Sequence, residues 1–169
     1  MAHCYRCGQA APEADVHGTV VAVCPDHGPL WMLVRSAPVA AVVAGWDGRV
    51  LVARRAHAPY QGEWEAPGGF LEAGEDPADA AVREFQEEIG LDVTLTGLLA
   101  IETWQTGDDH LLGIVYCGEA AGEPAPDPRE VTEARWCDPA ALPEPMRAGH
   151  REWIAAWRAG RIGPLPHPA

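Results

Sequence analysis

A short amphipathic segment, residues 76–90, constrains the fold more than any other part of this chain. Asp76 is a suitable N-cap, Pro77 suits the first helical position, and Gly90 is a good C-terminal stop. Between them, apolar residues recur at helical spacing, at Ala78, Ala81, Val82, Phe85 and Ile89. We therefore predict a helix over residues 77–89 that buries one face in a hydrophobic core.

Three acids of this helix, Glu84, Glu87 and Glu88, fall at spacing i, i+3, i+4 on an arc beside the apolar stripe. They lie near the C-terminal end, where the helix dipole disfavours each negative charge by roughly 0.3–1 kcal/mol. Arg83 can offset only one of these charges, whereas a divalent cation would offset the rest, and carboxylate oxygens suit Mg²⁺ or Mn²⁺. The helix alone leaves two interpretations open: a metal site in a cleft, or a solvated acidic face.

The loop before the helix and the helix itself share one pattern over residues 69–91. It reads G-x5-E-x7-R-E-F-Q-E-E-I-G-L. This pattern resembles the Nudix box, the signature of the Nudix hydrolase family, at every fixed position, with Phe85 where an aliphatic residue is more common. The flanking sequences at residues 64–68 and 133–136 also look Nudix-like. The resemblance covers residues 36–160.

The resemblance implies an α/β fold, an α/β/α sandwich around a mixed β-sheet, over residues 36–162. The last residues, 163–169, are predicted to form an extended tail, and Cys117 and Cys137 to be buried core thiols. Apolar runs between turn residues predict a hairpin near the start of this region and further strands after the helix. The predicted strands are Val39–Ala44, Val50–Ala53, Leu91–Trp104, Leu111–Cys117 and Ala134–Cys137, with a closing helix at Arg151–Arg158.

By position in the box, the resemblance implies a role for each residue of the pattern. Glu84, Glu87 and Glu88 would hold one to three Mg²⁺ or Mn²⁺ ions, with the backbone carbonyl of Gly69 as a further ligand. Arg83 would orient the glutamates, and Glu75 would support the loop or bind a more labile metal. The metals would bridge the diphosphate oxygens and activate the attacking water. The implied activity is Mg²⁺-dependent hydrolysis of the pyrophosphate bond in a nucleoside diphosphate linked to another moiety.

The general base is not fixed by the pattern, because the family is not uniform in this respect. The base is either a box glutamate such as Glu84 or an acid on a later loop, and each later acid also fits an ordinary surface position. The later candidates are Glu102, Glu130, Glu133 and the run Asp108-Asp109-His110.

Substrate contacts outside the box are also predicted from their place in the sequence. Arg54 and Arg55 end a strand beside the box loop, where they could contact phosphate. Three aromatic residues could stack on a base or simply pack in the core. They are Trp46, Tyr60 and Trp104, of which Trp104 is the predicted substrate contact.

Residues 1–35 form a distinct segment with a different chemistry. Cys4-x2-Cys7-x16-Cys24-x2-His27 has the spacing of a zinc ribbon, and a glycine follows each pair. A closed Cys₃His site has no open position, so the Zn²⁺ would be structural, and it would explain how so short a segment folds. Unligated thiols remain an alternative, as does replacement of His27 by His3 or His17.

A zinc ribbon before a Nudix domain is similar to the NADH pyrophosphatase branch of the family. That branch carries a Ser-Gln-Pro-Trp-Pro-Phe-Pro array after the box, and residues 101–107 here read Ile-Glu-Thr-Trp-Gln-Thr-Gly. The ADP-ribose pyrophosphatase branch typically has a proline downstream of the box, and no proline occurs here between Gly90 and Pro124. The sequence therefore assigns no subfamily.

The acidic composition limits the partners. The formal net charge is −13, and all twelve basic residues are arginine. Such a surface repels polyanions, so we expect neither nucleic acid nor an anionic membrane as a partner. A nucleotide-derived diphosphate substrate then needs a cation between itself and the protein, in agreement with the implied metal.

Location and an alternative function complete the expectations. No apolar run approaches the ~20 residues of a membrane span, and no signal-peptide pattern is seen, so a cytoplasmic location is expected. Nudix proteins are often dimers, so the resemblance allows a homodimer. The alternative function is a non-catalytic, nucleotide-sensing Nudix module whose zinc ribbon docks a protein partner.

Overall fold

The computed structural model describes residues 1–106 and 109–165, and the chain divides into two compact units. The N-terminal unit contains Met1–Ala37 together with Gln105–His110, and the main unit contains Pro38–Trp104 and Leu111–Ala169. None of the described helices is long and apolar enough to cross a bilayer.

The N-terminal unit is built from short antiparallel strands. Strands β1 (Ala2–His3) and β2 (Ala10–Ala11) pair with each other. A second sheet comprises β3 (Glu13–Val16), β4 (Thr19–Cys24) and β5 (Gly28–Pro29), in the order β3-β4-β5, and is followed by a 3₁₀ turn at Trp31–Val34. The cluster of buried apolar residues is small and consists of Cys4, Ala11, Ala22, Cys24 and Leu30, and Val21 is buried outside this cluster.

The main unit is a mixed sheet between two helices. Its elements in chain order are β6 (Ala37–Trp46), β7 (Arg49–Arg55), β8 (Trp64–Glu65), β9 (Gly68–Phe70), α1 (Pro77–Ile89), β10 (Val93–Thr106), β11 (Asp109–Ala120), β12 (Val131–Cys137) and α2 (His150–Arg158). The sheet has the strand order β10-β11-β6-β7-β12, with β8 paired to β7 and β9 paired to β6.

One helix covers each face of this sheet, because successive strand residues point to opposite sides. Phe85 and Ile89 of α1 pack on a face that includes Val42 and Leu51, while Trp153 of α2 packs on the face that includes Val43. The predicted α/β class, with its α/β/α layers, is therefore confirmed.

Helix α1 has the predicted bounds and caps. The Asp76 carboxylate accepts a hydrogen bond from the Ala78 N–H at 2.8 Å, and Gly90 ends the helix with a left-handed φ of 72°. Strands β6, β7, β11 and β12 are longer than predicted, whereas β10 keeps its predicted length and is shifted, running from Val93 to Thr106.

Two further predictions, an extended tail at residues 163–169 and buried thiols at Cys117 and Cys137, agree only partly with the structure. Gly163 exchanges two backbone hydrogen bonds with Leu98 of β10, so the start of the predicted tail pairs with the sheet. Residues 166–169 lie outside the described range. Cys117 is fully buried, whereas Cys137 is only partly buried.

Residues 64–70 are inserted between β6 and β7. The two strands pair directly near their hairpin turn, at Gly45↔Val50. Further along, β7 pairs with β8 (Ala53↔Glu65) and β6 pairs with β9 (Ala40↔Gly69). A side chain at Gly68 would clash with this arrangement, because its Cβ would lie 2.3 Å from the Ala40 carbonyl oxygen. The loop that precedes α1 is thereby held as part of the sheet.

Candidate functional site

The Glu84 carboxylate lies directly against the backbone of Gly69. A Cβ atom at position 69 would come within 2.4 Å of Glu84 Oε2, so any side chain there would displace the carboxylate. The loop and the helix, which the sequence pattern linked only by spacing, therefore meet at this point.

Arg83 organises the acids around it. Its Nε and Nη2 donate to the two Glu75 carboxylate oxygens at 2.7 and 2.9 Å, a bidentate pair. Its Nη1 donates to Glu84 Oε1 at 2.7 Å and to Glu87 Oε2 at 3.1 Å, and its Nη2 also reaches the Phe70 carbonyl at 3.1 Å. These bonds to Arg83 lower the pKa of Glu75 to about 2, so Glu75 is ionised at neutral pH.

Glu88 is the most deeply placed acid of the helix, with a relative exposure of 8%. It accepts a hydrogen bond from the Gly68 N–H at 2.9 Å. Burial, reinforced by the negative charges of Glu65 and Glu84, raises the pKa of Glu88 to about 8. Burial also raises the pKa of Glu84, against the opposing effect of Arg83. The site is therefore short of positive charge.

Glu65, which the sequence reasoning missed, is a second buried acid beside Glu88. Its relative exposure is 7%, and it pairs with Arg55 at 3.2 Å and with Arg147 at 2.6 Å. The Arg147 guanidinium also lies over the Tyr60 ring, 4.3 Å from its centroid. The sequence signal that could have found Glu65 is its place in residues 64–68, the stretch before the box that also looks Nudix-like.

The donor set suits hard divalent cations. Five carboxylates, of Glu65, Glu75, Glu84, Glu87 and Glu88, meet three guanidinium groups, of Arg55, Arg83 and Arg147. Negative charge exceeds positive charge when all these groups are ionised. The side chain of Glu87 is 57% exposed and keeps one oxygen free of Arg83, and the oxygens gathered here are of the type that Mg²⁺ and Mn²⁺ bind.

The two arginines predicted to bind substrate have different surroundings. Arg55 lies at Glu65, beside the acids, whereas exposed Arg54 donates from Nε to the Gly62 carbonyl at 3.0 Å. Trp104 packs against Gly113 and lies 5.9 Å from Trp153, in the cluster on the α2 side of the sheet.

The remaining base candidates have partners of their own or lie outside the described side chains. Glu102 accepts a hydrogen bond from Trp153 Nε1 at 2.6 Å, and exposed Glu133 pairs with Arg135 at 3.5 Å. Glu130 is bound to His57 Nε2 at 2.8 Å. Asp108 and the Asp109 side chain fall outside the described residues, and His110 is exposed. Among the candidate general bases whose side chains are described, Glu84 is the one that lies against Gly69, at the start of the box pattern.

The four ligands predicted in the N-terminal unit come together. Their ligand atoms all lie within 4.8 Å of one another. Cys4 Sγ and Cys24 Sγ lie 3.6 and 3.5 Å from His27 Nδ1, and Cys7 Sγ lies 3.7 Å from Cys24 Sγ. Tetrahedral zinc with its usual bond lengths places ligand atoms roughly 3.5–3.8 Å apart, so the donors fit that ion.

A pH dependence of stability follows from Glu88 in metal-free protein. Its folded pKa of about 8 lies above the ordinary 4.5, so the folded state keeps a proton that the unfolded state releases. This contribution to stability is full below about pH 4.5 and is lost as the pH rises through about 8. Between pH 5 and 8 in EDTA, we expect Tm to fall more for the wild type than for Glu88→Gln, by about 2 °C or more. Parallel curves in thermal denaturation would contradict this assignment.

Comparison with known proteins agrees with the resemblance found in the sequence pattern of residues 69–91. The family model described as NUDIX domain matches residues 34–157. The NAD-capped RNA hydrolase NudC of Pseudomonas aeruginosa is 31% identical over 162 residues, 95% of this chain and 56% of that protein. The ADP-ribose pyrophosphatase of Methanocaldococcus jannaschii is 32% identical over 100 residues, 58% of this chain and 59% of that protein. The chain thus spans a little over half the length of these relatives.

A solved structure shows the same fold over nearly the whole chain. The crystal structure of a NUDIX hydrolase from Nitrosomonas europaea superposes with a TM-score of 0.79 at 21% identity, covering 99% of this chain and 97% of that one.

Proposed function

The chain belongs to the NUDIX family, and from this premise we propose that it is a pyrophosphohydrolase that uses Mg²⁺ or Mn²⁺. Its substrate would be a nucleoside diphosphate linked to another moiety. The observation that carries the proposal is the set of carboxylates of α1 gathered against Gly68 and Gly69 of β9, with Arg83 holding Glu84 and Glu87. These carboxylates repel one another, and a bound divalent cation would offset their excess negative charge.

Glu84, Glu87 and Glu88 would hold the metal, with the Gly69 carbonyl as a further ligand. When bound, the metal supplies neutralising charge at the diphosphate oxygens and lowers the pKa of a water. Arg83 fixes the direction of two carboxylates, and the Gly68 N–H fixes that of Glu88. Glu84 is the proposed general base because it combines a place at the loop with a pKa raised by burial.

The relatives support the substrate class. One is named for ADP-ribose and one for NAD-capped RNA, and both of these compounds contain a nucleoside diphosphate joined to a second group. Phe70, next to Gly69 and 59% exposed, offers a ring on which a base can stack. Arg55 is the proposed phosphate contact, because it lies beside the acids. The net charge of −13 argues for recognising the diphosphate end of a capped RNA and not the polynucleotide.

We also propose a structural Zn²⁺ in the N-terminal unit. The distances among Cys4, Cys7, Cys24 and His27 match a tetrahedral site that is closed to further ligands. Its role would be to hold together a unit whose own apolar core is small.

The experiment is a substrate panel with Mg²⁺, Mn²⁺ or EDTA. It contains ADP-ribose, NADH, nucleoside triphosphates and a short NAD-capped RNA, and the products are identified as monophosphates by chromatography. We expect metal-dependent cleavage of at least one compound with a nucleoside diphosphate linkage. Tight nucleotide binding without cleavage in either metal would contradict the proposal and favour a sensing module.

A further inference from the structure

Residues 145–150, which lead into α2 and include its first residue, are attached to β8, the strand that precedes the box pattern. The Trp64 N–H donates to the Pro145 carbonyl at 2.8 Å, and the Arg147 N–H donates to the Trp64 carbonyl at 2.8 Å. Trp64 and Met146 form a parallel bridge. The segment therefore acts as a short additional strand beside β8.

Side chains extend this attachment to the next two residues. Arg147 Nη1 donates to Glu65 Oε2 at 2.6 Å, and the Ala66 N–H donates to His150 Nδ1 at 2.9 Å. His150 is the first residue of α2, is 5% exposed, and lies 4.2 Å from the Trp153 ring. Three consecutive residues, 64–66, are thus held from one short segment.

We propose that His150 is a positioning residue for the metal site. By accepting a hydrogen bond from the Ala66 N–H, it fixes the backbone just before β9, and Gly68 and Gly69 of β9 are the residues that meet Glu88 and Glu84. This inference rests on the proposed function only for the kcat and KM measurements below, because the Kd for Mn²⁺ is measured without substrate.

The length of the connection makes this coupling short and stiff. Ala66 is two residues before Gly68, whose N–H donates to Glu88, and three before Gly69, against which Glu84 lies. Pro67, between them, is fully buried and has a restricted φ. If the Ala66 N–H lost its buried acceptor, the backbone would have to move toward another partner or water, and the start of β9 would move with it.

The protonation state of His150 suits this role. Nδ1 accepts the hydrogen bond, so the proton of the neutral ring is on Nε2. Burial, with the positive charges of Arg147 and Arg55, lowers the pKa of His150 well below its usual range, which keeps the imidazole neutral. An asparagine can present its Oδ1 where Nδ1 now lies, whereas a leucine offers similar bulk without an acceptor.

The test compares His150→Asn, His150→Leu and the control Arg151→Ala. Arg151 is the next residue, is exposed, and pairs with Glu144 at 2.6 Å. The Kd for Mn²⁺ is measured by electron paramagnetic resonance without substrate, and kcat and KM are measured on the best substrate. We expect His150→Leu to weaken Mn²⁺ binding and kcat about 10- to 100-fold, the range typical of groups that orient metal ligands. We expect His150→Asn to restore most of the loss, and Arg151→Ala to match the wild type.

Equal values for His150→Asn and His150→Leu would overturn the inference, whether both are normal or both are impaired, because the acceptor would then make no difference. If His150→Leu does not fold, ¹⁵N spectra of histidine-labelled wild type show instead whether His150 Nδ1 carries a proton. A protonated Nδ1 on His150 overturns the inference, and an unprotonated Nδ1 together with normal Mn²⁺ affinity in His150→Asn supports it. A wild type that binds Mn²⁺ but cleaves no substrate would contradict the proposed function while leaving this test intact.

Discussion

Glu88→Gln is expected to lower kcat by about 100-fold or more at saturating Mg²⁺, and Glu87→Gln to have an effect of similar size. Loss of groups that merely orient metal ligands already costs about 10- to 100-fold, so loss of a ligand should cost more. A glutamine in place of Glu88 would still offer an amide oxygen to the Gly68 N–H, so this contact with β9 is retained and the missing charge is what is tested. Initial rates over a range of Mg²⁺ concentrations provide the measurement.

Asp79→Asn is the matched control for these variants. Asp79 is an exposed acid in the first turn of the same helix and takes part in none of the contacts described above for Arg83 and Gly68. The substitution changes the net charge by the same amount as Glu88→Gln or Glu87→Gln. It should leave kcat within about two-fold of the wild-type value, since surface substitutions of this kind usually have small effects. If all three variants retained wild-type rates, α1 would not hold the catalytic metal.

Removal of zinc should unfold the N-terminal unit and leave the main unit folded. Structural zinc contributes roughly 10–16 kcal/mol in zinc-finger peptides, and the buried apolar cluster here consists of Leu30 and four smaller residues. After treatment with a zinc chelator, residues 1–35 should exchange their amide hydrogens rapidly, while α1 and the strands around it stay protected. Hydrogen exchange followed by mass spectrometry compares the two units in one sample.

Two cysteine variants separate zinc binding from other effects of thiol loss. Cys24→Ala removes a buried ligand and should release the metal, whereas Cys137→Ser alters a partly buried thiol of the main unit and should retain it. Elemental analysis of freshly purified protein should find zinc in an equimolar amount. A zinc-free protein that protects residues 1–35 normally would show that the thiols need no metal.

The local parts of the site were predictable because short-range rules determine them. The N-cap at Asp76, the stop at Gly90 and the apolar spacing between them define α1 within one residue. The spacing of Gly69 from Glu84 placed the loop near the helix, and the structure brings the two into contact. The cysteine and histidine pairs likewise converge as their spacing indicated.

Long-range contacts were not predictable from such rules. Arg147 meets Glu65 across 82 residues, and His150 meets Ala66 across 84, so no local pattern relates them. The alternation of a strand shows that side chains take two faces but does not show which helix covers each face. For that reason the sequence could not assign Trp104 to the α2 side of the sheet.

The insertion of residues 64–70 between β6 and β7 limits how this protein can be redesigned. Trp64 faces the α2 side, and Glu65 lies opposite Ala53, which faces α1. Adding or deleting one residue in this stretch would exchange the two, placing an indole among the acids and a carboxylate in the apolar cluster. Grafts intended to change substrate preference should therefore alter loop length in the exposed turn around His57–Pro59, upstream of the inserted stretch, where the strand register is unaffected.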